Sequence, residues 1–292
     1  MEKVIIVGDG PAGISAALYV ARANMNPLVI SNGIGALEKA EKIENYYGLD
    51  HPVSGKELFQ IGIAQAKALG VRILEAQVLG IGGFDTFQVK TTAGDFDTVS
   101  VILATGSKRK APAIPGIREF EGRGVSYCAV CDAFFYRGKN VAVLGNSDFA
   151  LHEAEALAPV AGSVTIYTDG EEPEFSREPD FTVNTMKIQS VEGAEKVSGL
   201  RLEHEPEKEE HVDGVFVALG TAGSAEMARQ MGAALTEKGN ILVNERMEST
   251  IPGIFAAGDC TGGLLQVAKA VYDGAQAGIS ASQYVRSRKD HR

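Results

Sequence analysis

The chain has few cysteines, no surplus of positive charge and no long apolar run, and each shortage removes a class of protein. Three cysteines in 292 residues are too few for the disulfide framework of a secreted protein. No apolar stretch approaches the length that spans a bilayer, and residues 1–7 (MEKVIIV) read as a strand rather than a signal peptide. A cytoplasmic location with no membrane partner is the expectation. The formal net charge of −10 argues against nucleic acid as a partner. Only one Cys-x-x-Cys pair is present, and His51, His152, His204, His211 and His291 show no ligand spacing near it. No metal site is expected. What remains, 45% hydrophobic with 34 glycines, fits an α/β protein with many tight turns and room for two domains.

Hydrophobic periodicity places a strand at Val4–Val7, a turn at Gly8–Gly13, an Ala-rich helix at Ile14–Arg22 and a strand at Leu28–Ile30, which is one βαβ unit. An amphipathic helix is predicted over 56–70, and strands near 72–78, 86–92 and 97–103. Pro112 and Pro115-Gly116 then break the chain and suggest a hinge. The pattern restarts with a strand at Val141–Leu144, a helix at Asp148–Leu157 and a strand at Val164–Tyr167. Further strands are predicted near 182–190 and 197–204. Val215–Leu219 with Gly220 repeats the strand-to-glycine pattern of Leu103–Gly106, and an Ala-rich helix is predicted over 264–284. The expected fold class is α/β, with two Rossmann-like nucleotide-binding domains, the second inserted in the first and reduced. The expected boundaries are 1–113 with 213–292, and 114–212.

Gly8-Asp-Gly10-Pro11-Ala12-Gly13 follows a strand and opens a helix, the context that gives a GxGxxG loop its meaning. Gly8 makes the turn, Gly10 lets backbone approach a pyrophosphate, and Gly13 lets helix and strand pack closely. The next strand, Leu28-Val-Ile-Ser31-Asn32, carries no acid at the end where ribose is usually gripped, so Ser31 or Asn32 is expected to serve instead. Gly258-Asp259, at a strand end before a helix, supports FAD over NAD, because the aspartate can hydrogen-bond a ribitol hydroxyl. Ala104-Thr105-Gly106 completes this set. Cys128-Ala-Val-Cys131-Asp132 is spaced for a redox disulfide across a short turn, with Asp132 placed to relay a proton to a thiolate. Cys260 reads as a small buried residue.

The second loop, Gly145-Asn146-Ser147-Asp148-Phe149-Ala150, is damaged. Ser147 puts a side chain where bare backbone is needed, and Asp148 adds negative charge where phosphate should sit. The strand after it ends Tyr167-Thr168-Asp169, with no arginine for a 2′-phosphate. The acids of DGEEPEFSREPD (169–180) outweigh its one arginine and would repel a dinucleotide. Residues 107–139 run the other way. They hold Lys108, Arg109, Lys110, Arg118, Arg123, Arg137 and Lys139 against Glu119, Glu121 and Asp132. That excess reads either as a solvated surface or as a docking patch for an acidic partner.

Five stretches carry a resemblance: GDGPAGISAALYVARAN (8–24), IENYYG (43–48), ATGS (104–107), GVSYCAVCDAFFYRGKNVAVLG (124–145) and IPGIFAAGDC (251–260). The chain resembles the low-molecular-weight thioredoxin reductases over nearly its whole length. It departs from them where the NADPH loop and its arginines should stand, and at Gly35-Ala36-Leu37, where the family places Gln near FAD. That pattern is similar to the ferredoxin-dependent flavin thioredoxin reductases. The resemblance implies FAD as cofactor, ferredoxin as donor, thioredoxin as acceptor and a homodimer. It implies Cys131 beside the flavin, Cys128 as the interchange thiol and Asp132 as the acid. It also brings Asn45, Gln266, Val267 and Ala268 into the cofactor set. A flavin dithiol oxidase, an NAD(P)H thioredoxin reductase with an atypical site and a non-catalytic module that keeps FAD only for structure are the alternatives.

Overall fold

The computed structural model describes residues 1–106, 112–127, 129–203, 209–219 and 223–289; the side chains of Lys39, Val130, Cys131, Glu209 and Lys289 also lie outside the description. The chain divides into two compact units, Met1–Lys108 with Gly223–Arg292, and Arg109–Ala222.

In the first unit β1 (Glu2–Val7) leads through the first glycine loop into α1 (Pro11–Arg22) and β2 (Leu28–Ser31). Val4 to Val7 are buried without alternation, as a central parallel strand covered on both faces requires. The helix begins at Pro11, earlier than the expected Ile14, because proline is pre-set for the first helical position. Next comes α2 (Gly55–Ala68), where the Ser54 side chain accepts from the Glu57 N–H at 3.1 Å and caps the helix. β3 (Arg72–Glu75) pairs parallel with β2, while β4 (Val78–Gly83), β5 (Phe87–Thr91) and β6 (Gly94–Leu103) form an antiparallel meander. The predicted 72–78 strand is thus the parallel edge strand alone. β4 begins where that prediction ends, and its Gly80, Gly82 and Gly83 hide a strand signal.

The second unit holds β7 (Val125–Ser126), α3 (Ala129–Asp132), β8 (Asn140–Leu144), α4 (Asp148–Leu157), β9 (Ser163–Tyr167) and β10 (Thr182–Asn184). These are followed by β11 (Ile188–Gly193), β12 (Val197–Leu202), β13 (Glu209–His211) and β14 (Gly214–Val217). A parallel sheet runs in the order β10-β9-β8-β14-β7, beside an antiparallel β11-β12-β13 sheet. Val215–Leu219 was expected after the return to the first unit. The structure corrects this: β14 pairs with β7 and β8 and belongs to the second unit's sheet. Gly220 lies outside the described residues. The stretch around Pro115-Gly116 is held within the second unit, where the Val191 N–H donates to the Pro115 carbonyl at 2.9 Å.

The chain returns to the first unit with α5 (Ser224–Gln230), β15 (Ile254–Ala256) and α6 (Val267–Lys289). β15 pairs parallel with β6. α6 lies tight against α1 through Gly274 and Gly278, where an added Cβ would fall 2.0 Å from the Ala12 carbonyl oxygen and 2.6 Å from that of Ala16. No helix of the described residues is long and apolar enough to cross a membrane.

Candidate functional site

In the first unit Val7 pairs with Ile30 and Leu103, and Leu103 pairs with Ala256. Four strands therefore end level, and Gly8, Ser31, Ala104 and Gly258 emerge near one carboxyl edge of the sheet. Ligands of open α/β sheets bind at that edge. The three glycines of the first loop have separate jobs. Gly8 sits at φ +104°, and a Cβ on it would meet the Ala104 carbonyl oxygen at 2.4 Å. At Gly13 a Cβ would meet the Gly8 carbonyl oxygen at 1.8 Å, so helix and loop pack backbone to backbone. Gly10 faces open space, with nothing within 4 Å of such an atom. An open glycine directly before Pro11 and Ala12, at the start of α1, is the cradle a pyrophosphate fits, because unpaired N–H groups and the helix dipole face it. These residues fit a dinucleotide such as FAD.

Ser31 is 5% exposed, and its hydroxyl donates to Asp9 Oδ2 at 2.5 Å. Burial raises the Asp9 carboxyl above the usual carboxylate range, against the opposing bond from Ser31. Asn32, by contrast, is exposed. Thr105 is locked from the far side: its hydroxyl lies 2.7 Å from that of Ser224 and accepts from the Ser224 N–H at 2.9 Å. Gly106 turns the chain at φ +82°. Asn45 Nδ2 donates to Gln266 Oε1 at 2.9 Å, joining two cofactor candidates 221 residues apart in sequence. Val267 and Ala268 follow in the first turn of α6.

Gly258, at φ +84°, turns Asp259 out of β15. Lys269 braces that turn by donating to the carbonyls of Gly258 and Gly262 at 2.9 and 2.7 Å and to the Thr261 hydroxyl at 2.7 Å. Its charge is paired with the buried Asp273 at 2.6 Å, whose Oδ2 accepts the Gly258 N–H. Burial pushes the Asp259 carboxyl up, with the Lys269 ammonium pulling it back. Cys260, expected to be buried, is 2% exposed, and burial pushes its thiol up to about 12. It stays a thiol at neutral pH and is chemically quiet.

Cys128, in the second unit, lies outside the described residues, as do Lys108, the last residue of the first unit's leading segment, and Arg109 and Lys110. Cys131 falls within α3, with its side chain outside the description. Asp132 closes that helix and accepts the Ser126 hydroxyl at 2.6 Å. Beneath the helix the buried Glu153 of α4 accepts the Ala129 N–H at 2.6 Å, fixing the residue that follows Cys128. Beyond it Phe134 and Phe135 stand 70% and 68% exposed. Arg137 lies over the Phe134 ring, and Tyr136 packs on Phe216 at 5.0 Å between centroids.

The second glycine loop is covered by the chain itself. The Glu174 N–H donates to the Asn146 carbonyl at 2.6 Å, and Asn146 Nδ2 donates to the Glu172 carbonyl at 3.0 Å. Ser147 and Glu174 form a parallel bridge. Asp148, the first residue of α4, accepts the Ser176 N–H at 2.8 Å, and Arg177 pairs with Glu155 of the same helix. Residues 171–177 thus form an acidic strap across the helix N-terminus that a phosphate would need. The sequence showed the acids but not the strap, because its bonds use backbone groups that carry no residue signal. Asp9, Ser224, Lys269 and Glu153 were also missed. Of these Asp9 alone had a signal, a carboxylate inside the glycine motif.

The model of the pyridine nucleotide-disulphide oxidoreductase family matches residues 2–274. A thioredoxin reductase of Aquifex aeolicus is 36% identical over 305 residues, spanning 98% of this chain and 94% of that one. The chain belongs to the thioredoxin reductase family. Family members are flavoprotein disulfide reductases, which agrees with the dinucleotide cradle of the first unit. Among solved structures, the atypical thioredoxin reductase TRi from Desulfovibrio vulgaris Hildenborough is 38% identical with a TM-score of 0.91, over 98% of this chain and 99% of that one. A ferredoxin-flavin thioredoxin reductase from Clostridium acetobutylicum is 31% identical with a TM-score of 0.71, over 98% of each chain.

Proposed function

We propose that this thioredoxin reductase takes its electrons from reduced ferredoxin rather than from a nicotinamide nucleotide. Electrons would pass through FAD and the Cys128/Cys131 pair to oxidised thioredoxin. The observation that carries the donor assignment is the strap. In a working dinucleotide site the helix N-terminus is bare, so that its N–H groups meet the phosphates. Here Glu172–Ser176 and the Asp148 carboxylate occupy that place. The strap brings further negative charge, which opposes any phosphate. The likeness to the Clostridium ferredoxin-flavin enzyme supports the same donor. Other relatives bear the plain name thioredoxin reductase, and what supports ferredoxin in this chain is its own strapped second loop.

FAD accepts electrons singly and delivers them in pairs, the chemistry needed between an iron–sulfur donor and a disulfide. Two reduced ferredoxins and two protons are consumed per thioredoxin disulfide, giving two oxidised ferredoxins and two thiols. In the first unit Gly10, Pro11, Ala12, Gly13, Thr105, Asp259 and the Asn45–Gln266 pair would hold the cofactor. Cys128 would attack the thioredoxin disulfide, Cys131 would close the internal disulfide, and Asp132, steadied by Ser126, would move the proton. Phe134 and Phe135 offer an apolar platform next to the dithiol on which an acceptor protein can rest.

The assembly we propose is a homodimer in the cytoplasm. The dimer is supported by the apolar side chains of Tyr19, Ile61 and Leu69 on and just after α1 and α2, each about half exposed. A monomeric mass in solution would refute the dimer. The donor is tested by anaerobic titration of the flavin absorbance. Reduced ferredoxin should bleach it and NADPH or NADH should not.

A further inference from the structure

Nucleotide folds of this kind hold the adenosine ribose with an acid at the end of the second strand, which accepts from the sugar hydroxyls. This chain has none there. β2 ends on Ser31, and the next residue is the exposed Asn32. A carboxylate is present all the same, supplied from elsewhere. Asp9, between the first two glycines of the loop, reaches the strand end and lies 2.5 Å from the Ser31 hydroxyl. It is 4% exposed, although Gly10 beside it faces open space. We propose that Asp9, bridged to Ser31, is the residue that grips the adenosine ribose of the cofactor. The acid has moved from strand to loop while its carboxylate stays at the same place. The proposal rests on the FAD reading of the first unit.

The chemistry agrees with a ribose and not with a phosphate. An ionised carboxylate is an acceptor with about four lone-pair sites, and the Ser31 hydroxyl and the N–H of Asp9 itself take two of them. The remainder can accept from a vicinal diol, a pair of donors, but would repel a phosphate. The aspartate is costly to bury here, since burial raises its carboxyl and Glu75, which pairs with Ser31 across β2 and β3, adds like charge. A glycine loop needs no acid at this position for its turn. Such a cost is borne more readily where a ligand donates back. Asp9 is thus a specificity residue. It favours a flavin that carries an adenosine with both ribose hydroxyls free, and it contributes nothing toward FMN.

The test uses the full-length chain freed of flavin and titrated separately with FAD and FMN, followed by flavin fluorescence. Asp9→Ala should weaken FAD by about 10- to 100-fold, the loss of one or two hydrogen bonds to a charged acceptor. FMN affinity should change less than about twofold, because FMN has no adenosine to lose contact with. Wild-type FAD affinity in Asp9→Ala would overturn the proposal, and so would equal losses for FAD and FMN, which would mark a role in loop shape alone. An arm independent of folding uses the unaltered chain with FAD lacking the adenosine ribose hydroxyls. It should bind more weakly by a similar factor, and equal binding would overturn the assignment. A wild-type chain that takes up neither flavin would instead refute the FAD reading on which this rests.

Discussion

Gly10 and Gly13 belong to one motif, yet alanine should act at Gly10 on the ligand and at Gly13 on the fold. Gly10 sits at φ −66° and ψ −175°, an extended conformation open to any residue, and an added Cβ would meet nothing within 4 Å. Alanine there removes freedom from the unfolded chain but gives up the preference for glycine over alanine at the N-cap of α1, so the flavin-free protein should change in stability by less than about 1 kcal/mol. The same methyl stands where the pyrophosphate must come close. Displacing it from one or two N–H donors should weaken FAD by about 10- to 100-fold. At Gly13 a Cβ would lie 1.8 Å from the Gly8 carbonyl oxygen, which is backbone and cannot swing aside. Alanine there forces helix and strand apart, at about 3 kcal/mol or more. The flavin-free form should then melt about 6 °C or more below wild type. Scanning calorimetry of the flavin-free variants separates the two, and FAD titration completes the pair. Wild-type FAD affinity in Gly10→Ala would show that the cofactor does not approach this loop. A loss of stability in Gly10→Ala equal to that in Gly13→Ala would refute the division of roles.

Further outcomes follow from the second unit and from the buried thiol. Replacing Phe134 and Phe135 by alanine should raise KM for thioredoxin about tenfold while turnover of a small disulfide is unchanged, since both rings are exposed and support no core. Equal effects on both substrates would remove the docking role. Cys260 has a folded pKa of about 12 against an ordinary 9.0, so the folded state holds its proton longer. Its share of stability is present below about pH 9 and is lost as pH rises from 9 toward 12. Cys260→Ala should therefore flatten the alkaline side of the pH–stability curve. In the native wild type, iodoacetamide should leave Cys260 unmodified. Rapid native labelling of that residue would contradict its burial.

The legibility of the sequence followed the range of the forces involved. Local signals served well: the expected helix at Asp148–Leu157 matches α4, and the first βαβ unit lies where its apolar runs and glycines placed it. Non-local pairing was not visible. The strand around Val215 was given to the wrong unit, since its partners β7 and β8 lie far back in the chain. β4 carries Gly80, Gly82 and Gly83, which weaken a strand signal, so its sequence does not announce it. At the site, the Gly8–Gly13 loop and the Gly258 turn were readable because positive φ and close approach demand glycine. The residues that brace them were not. Ser224 and Lys269 act through tertiary hydrogen bonds that no spacing announces. The acids of 169–180 were read as repulsive charge, which was half of their role. Only the structure shows that 171–177 is bonded down over the loop of α4.

We propose a closed second nucleotide site, with electrons entering from ferredoxin. The most direct test is the anaerobic titration of the purified yellow protein, following flavin absorbance. Reduced ferredoxin should bleach the flavin fully, with two equivalents beyond those taken by the Cys128/Cys131 disulfide, and NADPH or NADH should bleach none. Rapid bleaching by either nicotinamide nucleotide would contradict this assignment.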